Sequence, residues 1–341
     1  MIDMRIKLLA LLSAAVLVTA CSQDDPSKGS VVVYVSIDQT IAEPVLETFA
    51  RETGIEVKPV YDVEAAKTSG LAKRLAEEAD TPRADVFWSG EPVQTEVMAQ
   101  AGLFSPYLPD KLRPGPQPGP ENRWVAFGGR ARVFIINTAR LNKADWPTSI
   151  YDLVADGRDT SRAVIAYPLF GTSATHASAL FTTLGPERAG AFFDRIVAHK
   201  VRIVDGNSVV RDLVADGTAD FGLTDTDDAC SAFERKPDEV GVVFPDQAAD
   251  GMGTLVIPNS VALVKGGPNP QAGKRLIDHL LSEAVADQLA DAGWFRIDGT
   301  RVFSPETCGL PAKVKPMAVD YAALARTMGD VIRELRDRIV R

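Results

Sequence analysis

Short β-branched runs alternate with amphipathic helical patterns from residue 30 onward, and few folds accept that alternation. Val31–Val35 reads as a strand, Ile41–Thr53 as a helix, Ile55–Val60 as a strand, Ala65–Glu78 as a helix and Ala84–Trp88 as a strand. Strands spaced by helices in this way build an α/β fold with a largely parallel sheet. Each strand closes in a polar stretch: Ser36-Ile37-Asp38-Gln39, then Tyr61-Asp62, then Ser89-Gly90-Glu91. Ligands of open α/β sheets bind beyond the carboxyl ends of the strands, so these stretches form one wall of a candidate site.

The segment Arg113–Pro120 holds four prolines and two glycines and reads as an extended loop. A long apolar run, Trp124–Asn137, follows it and is too long for a small-sheet strand unless it passes between lobes. A second alternation of strands and helices fills 164–223, and Gly253–Val264 reads as another long strand, interrupted by Pro258. Two long strands bracketing an α/β block describe a chain that crosses to a second lobe and returns. The expected division is 30–127 with 259–312 as lobe 1, and 128–258 with 313–341, including a C-terminal helix, as lobe 2.

Ahead of this body, Arg5 and Lys7 precede the apolar stretch Leu8–Val18, which is too short to span a bilayer and reads as an export signal. Val18-Thr19-Ala20-Cys21 resembles the end of a bacterial lipoprotein signal, so residues 1–20 would be removed and Cys21 would carry the lipid. Residues 21–29 are then a polar tether, and the body is expected to be periplasmic and lipid-anchored. The chain carries a net charge of −9; removing residues 1–20 takes away Asp3, Arg5 and Lys7, a net +1, and leaves −10. Such a surface repels nucleic acid and anionic head groups. An oxidising compartment permits Cys230 and Cys308 to pair, but the lobe division sets them on either side of the hinge, which favours two buried free thiols.

Asp225-Thr226-Asp227-Asp228 lies between the strand Phe221–Leu223 and a helix running to Glu234. Three carboxylates in four residues exceed what a helix cap needs, so they are expected to meet a cation or an amine, with Asp227 and Asp228 as candidate metal ligands. Gly171-Thr172-Ser173 opens a helix after a short strand, a setting that suits an oxyanion or phosphate; His176 follows on the same helix. Ser36, Asp38, Thr68, Ser69, Ser89 and Gly90 are the candidates from the first lobe's wall. Of Arg130 and Arg132 on the crossing strand, one is expected to face the cleft; Arg130 is chosen, to pair with an anion or a lobe carboxylate. His199 and His279 read as surface residues. No Gly-x-Ser-x-Gly elbow, HExxH, phosphate loop or dinucleotide fingerprint is present, so no enzyme activity is expected.

Val32–Asp38 with its following helix, Ala84–Trp88, the first long strand, Pro258–Pro270 and Val319-Asp320-Tyr321 together resemble extracellular solute-binding proteins of the iron-type group. These are type II periplasmic binding proteins that serve ATP-binding-cassette importers. The resemblance implies two α/β lobes joined by two hinge-crossing strands, a monomer, and as partners a permease with its ATPase. It also places Asn259 at a hinge beside the cleft. Ferric-ion binders of the group carry adjacent tyrosines on the second lobe, whereas residues 222–230 here contain none. Carboxylates would then be the oxygen donors for a hard cation. Two ligands stay open: ferric iron or its chelate, bound as cargo with no resident cofactor, and a phosphate-bearing organic anion. Alternatives in other classes are a solute receptor for a membrane sensor and a metal-dependent periplasmic enzyme.

Overall fold

The computed structural model describes residues 29–62, 69–292, 294–296, 308, 310 and 314–339. The signal, Cys21, residues 22–28 of the tether and Thr68 lie outside the described residues. Lobe 1 begins with β1 (Ser30–Ser36), α1 (Gln39–Thr53), β2 (Glu56–Tyr61), α2 (Ser69–Glu77), β3 (Val86–Ser89), α3 (Pro92–Gln100), β4 (Phe104–Ser105) and β5 (Gln117–Pro118). The long strand β6 (Val125–Asn137) leads to β7 (Ala163–Ala166), α4 (Gly171–Leu184), α5 (Pro186–Ala198), β8 (Arg202–Val204), α6 (Asn207–Ala215), β9 (Phe221–Asp225), α7 (Thr226–Arg235) and β10 (Val240–Val243). The second long strand, β11 (Val256–Val264), returns to α8 (Pro270–Leu280) and α9 (Glu283–Asp291), and α10 (Tyr321–Ile339) follows near the end of the chain.

The strands hydrogen-bond in the order β2-β1-β3-β11-β6-β9-β7-β8. β1, β2 and β3 pair in parallel, as do β7, β8 and β9, while β6 and β11 run antiparallel to their neighbours. β6 pairs with β11 through residues 125–131 and with β9 through 132–136, so one strand belongs to both lobes. The join is irregular: the β6–β11 register shifts between Pro258 and Asn259, as the proline's missing amide leads one to expect. Opposite it Gly128 has φ +50°, and a Cβ on Gly129 would stand 2.9 Å from the Ile257 carbonyl oxygen. A side chain at either position would strain this join.

Period-two side-chain alternation gives each lobe a sheet buried on both faces. In lobe 1, Val31, Val33, Val35 and Trp88 pack against Leu46, Phe49, Leu276 and Leu289 on one face. Tyr34 and Phe87 pack with Leu71, Leu75 and Met98 on the other. In lobe 2, Phe134, Ile136 and Ile165 meet α4, α5 and α10, while Val133, Ile135 and Val164 meet α6 and α7. Val93 of α3 joins the cluster that holds Leu324, Met328 and Leu335 of α10, so the last helix leans on both lobes.

The hinge expected to keep Cys230 and Cys308 apart does not. They form a disulfide with a Cα–Cα distance of 5.0 Å. Trp294 packs in the lobe 1 core, but Phe295, Cys308 and Leu310, which the sequence division kept in lobe 1 as far as 312, pack with Val133 and Ile135 of lobe 2. The chain therefore returns to lobe 2 at Trp294–Phe295, where Phe295 bridges to Gly129 of β6. The histidines read as surface residues are partly buried: the His279 ring lies 5.4 Å from that of Phe49, and His199 sits 3.5 Å from Asp156.

Candidate functional site: an interlobe cleft

The carboxyl ends of β1 and β3 in lobe 1 face those of β7, β8 and β9 in lobe 2, with β6 crossing between them. The cleft there encloses about 520 Å³, solvent mouth included, and is lined by Ser36, Asp38 and Glu91 from lobe 1 and by Arg130 from β6. Lobe 2 contributes Tyr167, Phe170 to Ser173, Asp205 to Asn207, and Asp228. Four helices start around this region without a side-chain cap hydrogen bond: α1 after Asp38, α4 after Phe170, α6 after Gly206 and α7 after Asp225. First-turn N–H groups have no intrahelical acceptor, and the helix dipole adds positive potential there.

Of the two arginines, Arg130 lines the cleft and Arg132 does not; residues two apart on a strand share a face, and both guanidinium groups pair with carboxylates of lobe 2. Arg132 donates from Nη1 to Asp225 Oδ1 at 2.6 Å and to Asn207 Oδ1 at 3.0 Å. Asp225 Oδ2 also accepts from Thr172 Oγ1 at 2.6 Å and from Asn207 Nδ2 at 2.9 Å. Arg130 donates to Asp227 Oδ2 at 3.1 Å and to the Gly90 carbonyl at 3.0 Å, and its guanidinium lies 5.2 Å from the centre of the Trp294 ring. Trp294 Nε1 donates to the same Asp227 oxygen at 3.1 Å, and Arg211 reaches Asp228 Oδ1 at 3.2 Å.

These pairings decide the charges. Burial alone would raise the Asp225 pKa, but Arg132 and Arg130 outweigh it and hold the carboxyl below its usual range. Asp227 is raised, by burial first and by Asp225 and Asp38 against the pull of Arg130. Asp228 is raised well above its usual value by burial and by Asp227, Asp38 and Asp225, which Arg211 does not offset. Burial lowers His176 to about 3, with Arg132 adding to the effect, so its ring is neutral. Glu91 is pushed up by burial to about 6 although Val93 N, Gln94 N and Thr175 Oγ1 all donate to it.

The remaining candidates divide in two. Ser36, Asp38, Gly171, Thr172, Ser173 and Asp228 line the cleft. Ser173 Oγ is buried with no hydrogen-bond partner, while Ser36 Oγ donates to Asp62. Ser89, Thr226 and Asn259 are fully buried and do not line it. Ser89 Oγ accepts from Glu91 N, Thr226 Oγ1 accepts from Ala131 N, and both amide atoms of Asn259 are unpaired beside the strand irregularity. Gly90 supplies a carbonyl to Arg130, and a Cβ there would stand 2.6 Å from that guanidinium. Ser69 opens α2. Sequence reasoning missed Asn207, although Gly206-Asn207 follows a strand and opens a helix by the same logic as Gly171-Thr172. It also missed Trp294, for which no local signal exists.

Two lobes, a pair of crossing strands and a polar cleft at the strand ends are the architecture of a receptor that closes on a solute. The sequence pattern of bacterial extracellular solute-binding proteins matches residues 34–287. The chain belongs to that family. Among its relatives, the iron uptake protein A1 of Synechocystis sp. is 27% identical over 71% of this chain and 68% of its own length. A putative 2-aminoethylphosphonate-binding periplasmic protein of Salmonella typhimurium is also 27% identical, over 85% of this chain and 84% of its own. The fold is that of iron-bound HitA from Pseudomonas aeruginosa, with a TM-score of 0.79 at 20% identity over 90% of this chain and 99% of that one. This solute-binding protein is thus a two-lobed type II periplasmic binding protein.

Proposed function

We propose that this solute-binding protein is a periplasmic receptor, held to a membrane by lipid on Cys21, that captures a small organic anion bearing a phosphate or phosphonate. It hands that solute as a monomer to the permease and ATPase of an importer. The observation that carries the reading is the pair of uncapped helix starts, at α4 and α6, that open on the cleft beside Ser173, whose hydroxyl is buried without a partner. Converging first-turn amides and a hydroxyl are suited to a multivalent oxyanion. The 2-aminoethylphosphonate-binding relative supports this ligand class.

Ferric iron or its chelate has the iron uptake relative in its favour. Against direct coordination, the carboxylates of Asp225 and Asp227 are already engaged by Arg132 and Arg130, so a metal would have to displace guanidinium groups. Titration calorimetry with ethylphosphonate, inorganic phosphate and ferric citrate tests the choice. Ser173→Ala should weaken binding of the phosphonate by roughly 1 to 3 kcal/mol if its hydroxyl donates to the anion. Tight ferric binding with no response to either phosphorus oxyanion would overturn the reading.

A further inference from the structure

Behind the cleft, and sharing Ala166 and Ser173 with it, a second chamber of about 370 Å³, solvent mouth included, lies in lobe 2 among α4, α5 and the sheet. Its walls are mostly apolar: Ile165 and Leu223 from the sheet, Ala177 and Leu180 from α4, Phe192 and Phe193 from α5. Protein interiors leave few voids larger than a water molecule, so an apolar chamber that borders a binding cleft departs from ordinary core packing. Three polar side chains interrupt the apolar lining. Ser173 stands at the border with the cleft, and His176, 5% exposed, presents a ring that burial keeps neutral. Arg132 is 1% exposed; its Nη1 donates to Asp225 and Asn207 and its Nη2 to the Leu223 carbonyl, but its Nε is buried with no hydrogen-bond partner. A buried guanidinium N–H left without an acceptor is costly, so its presence on a lining residue points to an acceptor that arrives with the ligand.

We infer that this chamber receives the organic part of the solute, an uncharged and largely apolar group of a few carbons carrying one hydrogen-bond acceptor such as a carbonyl oxygen, while the phosphonate or phosphate stays at the starts of α4 and α6. This rests on the reading of the cleft as an oxyanion site. Ser173 lines both spaces, so an anion held at its hydroxyl has the chamber beside it. The apolar walls favour carbon over water. Arg132 Nε and the neutral His176 ring supply N–H donors for one acceptor. Among the described residues no carboxylate lines the chamber, and the charge of Arg132 is already matched by Asp225 at 2.6 Å. An ammonium or a second acid group would lose its water there without gaining a countercharge. The chamber therefore selects against charged substituents and in favour of short, ketone-like ones.

The test is calorimetry on the full-length protein with a series of phosphonates and with inorganic phosphate. Propylphosphonate should bind about tenfold tighter than methylphosphonate, because two further methylenes leave water. 2-Oxopropylphosphonate should bind about threefold or more tighter than 2-methylpropylphosphonate, which has nearly the same shape and no acceptor. 2-Aminoethylphosphonate should bind more weakly than propylphosphonate. Ala177→Leu fills the chamber and should bring the propyl-to-methyl ratio toward one, with inorganic phosphate reporting whether the variant has kept its fold and cleft. Should that variant fail to bind phosphate, Leu180→Ala decides instead: it widens the chamber and should raise the affinity for 3-methylbutylphosphonate relative to propylphosphonate, and an unchanged ratio there overturns the inference. Equal affinity of the wild type for methyl- and propylphosphonate, or a preference for 2-aminoethylphosphonate over propylphosphonate, overturns it while leaving the oxyanion reading intact. A propyl-to-methyl ratio that survives Ala177→Leu in a phosphate-binding variant overturns it as well, and 2-oxopropylphosphonate binding no tighter than its methyl counterpart overturns the acceptor. Failure of inorganic phosphate and every phosphonate to bind overturns the oxyanion reading and this inference together.

Discussion

Arg130 and Arg132 converge on Asp225 because side chains on a strand repeat every two residues, and with Thr172 and Asn207 they turn a run of apparent ligand carboxylates into a paired network. A sequence displays Asp225, Asp227 and Asp228 as three negative charges; only their partners reveal that Asp225 is satisfied and that Asp227 is half satisfied. Glu91 makes the residue-scale prediction. Burial raises its carboxyl from the usual 4.5 to about 6. The folded state therefore holds the proton more tightly than the unfolded one, so the stability linked to Glu91 is full below about 4.5 and is lost as pH rises through about 6. The loss amounts to about 2 kcal/mol for a shift of this size. In Glu91→Gln that part of the pH dependence should vanish, read as the difference between wild type and variant in urea midpoints at pH 4.5 and pH 6.5. Parallel curves for the two proteins would show that Glu91 does not titrate in that window.

At the scale of elements, the strand and helix positions were legible wherever the periodicity was local. The run Val31–Val35 became β1, Ile41–Thr53 lies within α1, and the two long apolar stretches became β6 and β11, with the register shift falling at Pro258. What local periodicity could not give was the partner of α7. Its second turn carries Cys230, bonded across 78 residues of sequence to Cys308, and no pattern near either cysteine announces the other. Because this cross-link closes a long loop, Cys308→Ser should lower stability by roughly 4 kcal/mol in the chain-entropy account. Denaturant melts with and without dithiothreitol check it: reductant should bring the wild type down to the variant and leave the variant unchanged. If the wild type ignores reductant while the disulfide is verifiably reduced, the cross-link adds nothing to stability.

Across the whole molecule, contacts among the described residues that join the lobes at the cleft include three hydrogen-bonded ones. Thr175 Oγ1 donates to Glu91 Oε2 at 2.9 Å, Trp294 Nε1 to Asp227, and Arg130 spans from Asp227 to the Gly90 carbonyl. Such contacts favour the closed arrangement, and β6 with β11 supplies the strands about which the lobes can turn. Trp294→Phe combined with Thr175→Val removes two of the three, the second without a change of volume and the first while keeping an aromatic ring in the core. Small-angle scattering should then give a larger radius of gyration for the ligand-free variant than for the wild type. A saturating cognate solute should bring the two values together. An unchanged radius in the variant would mean that these contacts do not hold the lobes closed.

The sequence by itself determined the α/β alternation, the two crossing strands, the polar strand ends that make the cleft wall, and Thr172, Ser173 and Asp228 as residues on it, because each depends on a period or a turn within a few neighbours. Tertiary structure alone decided which carboxylates are neutralised, that Trp294 and Asn207 reach the site, and that Cys230 and Cys308 lie on one side of the hinge. Those outcomes depend on which side chains meet across 70 to 100 residues of chain, and charge and hydrogen-bond partners at that range leave no periodic trace in the sequence.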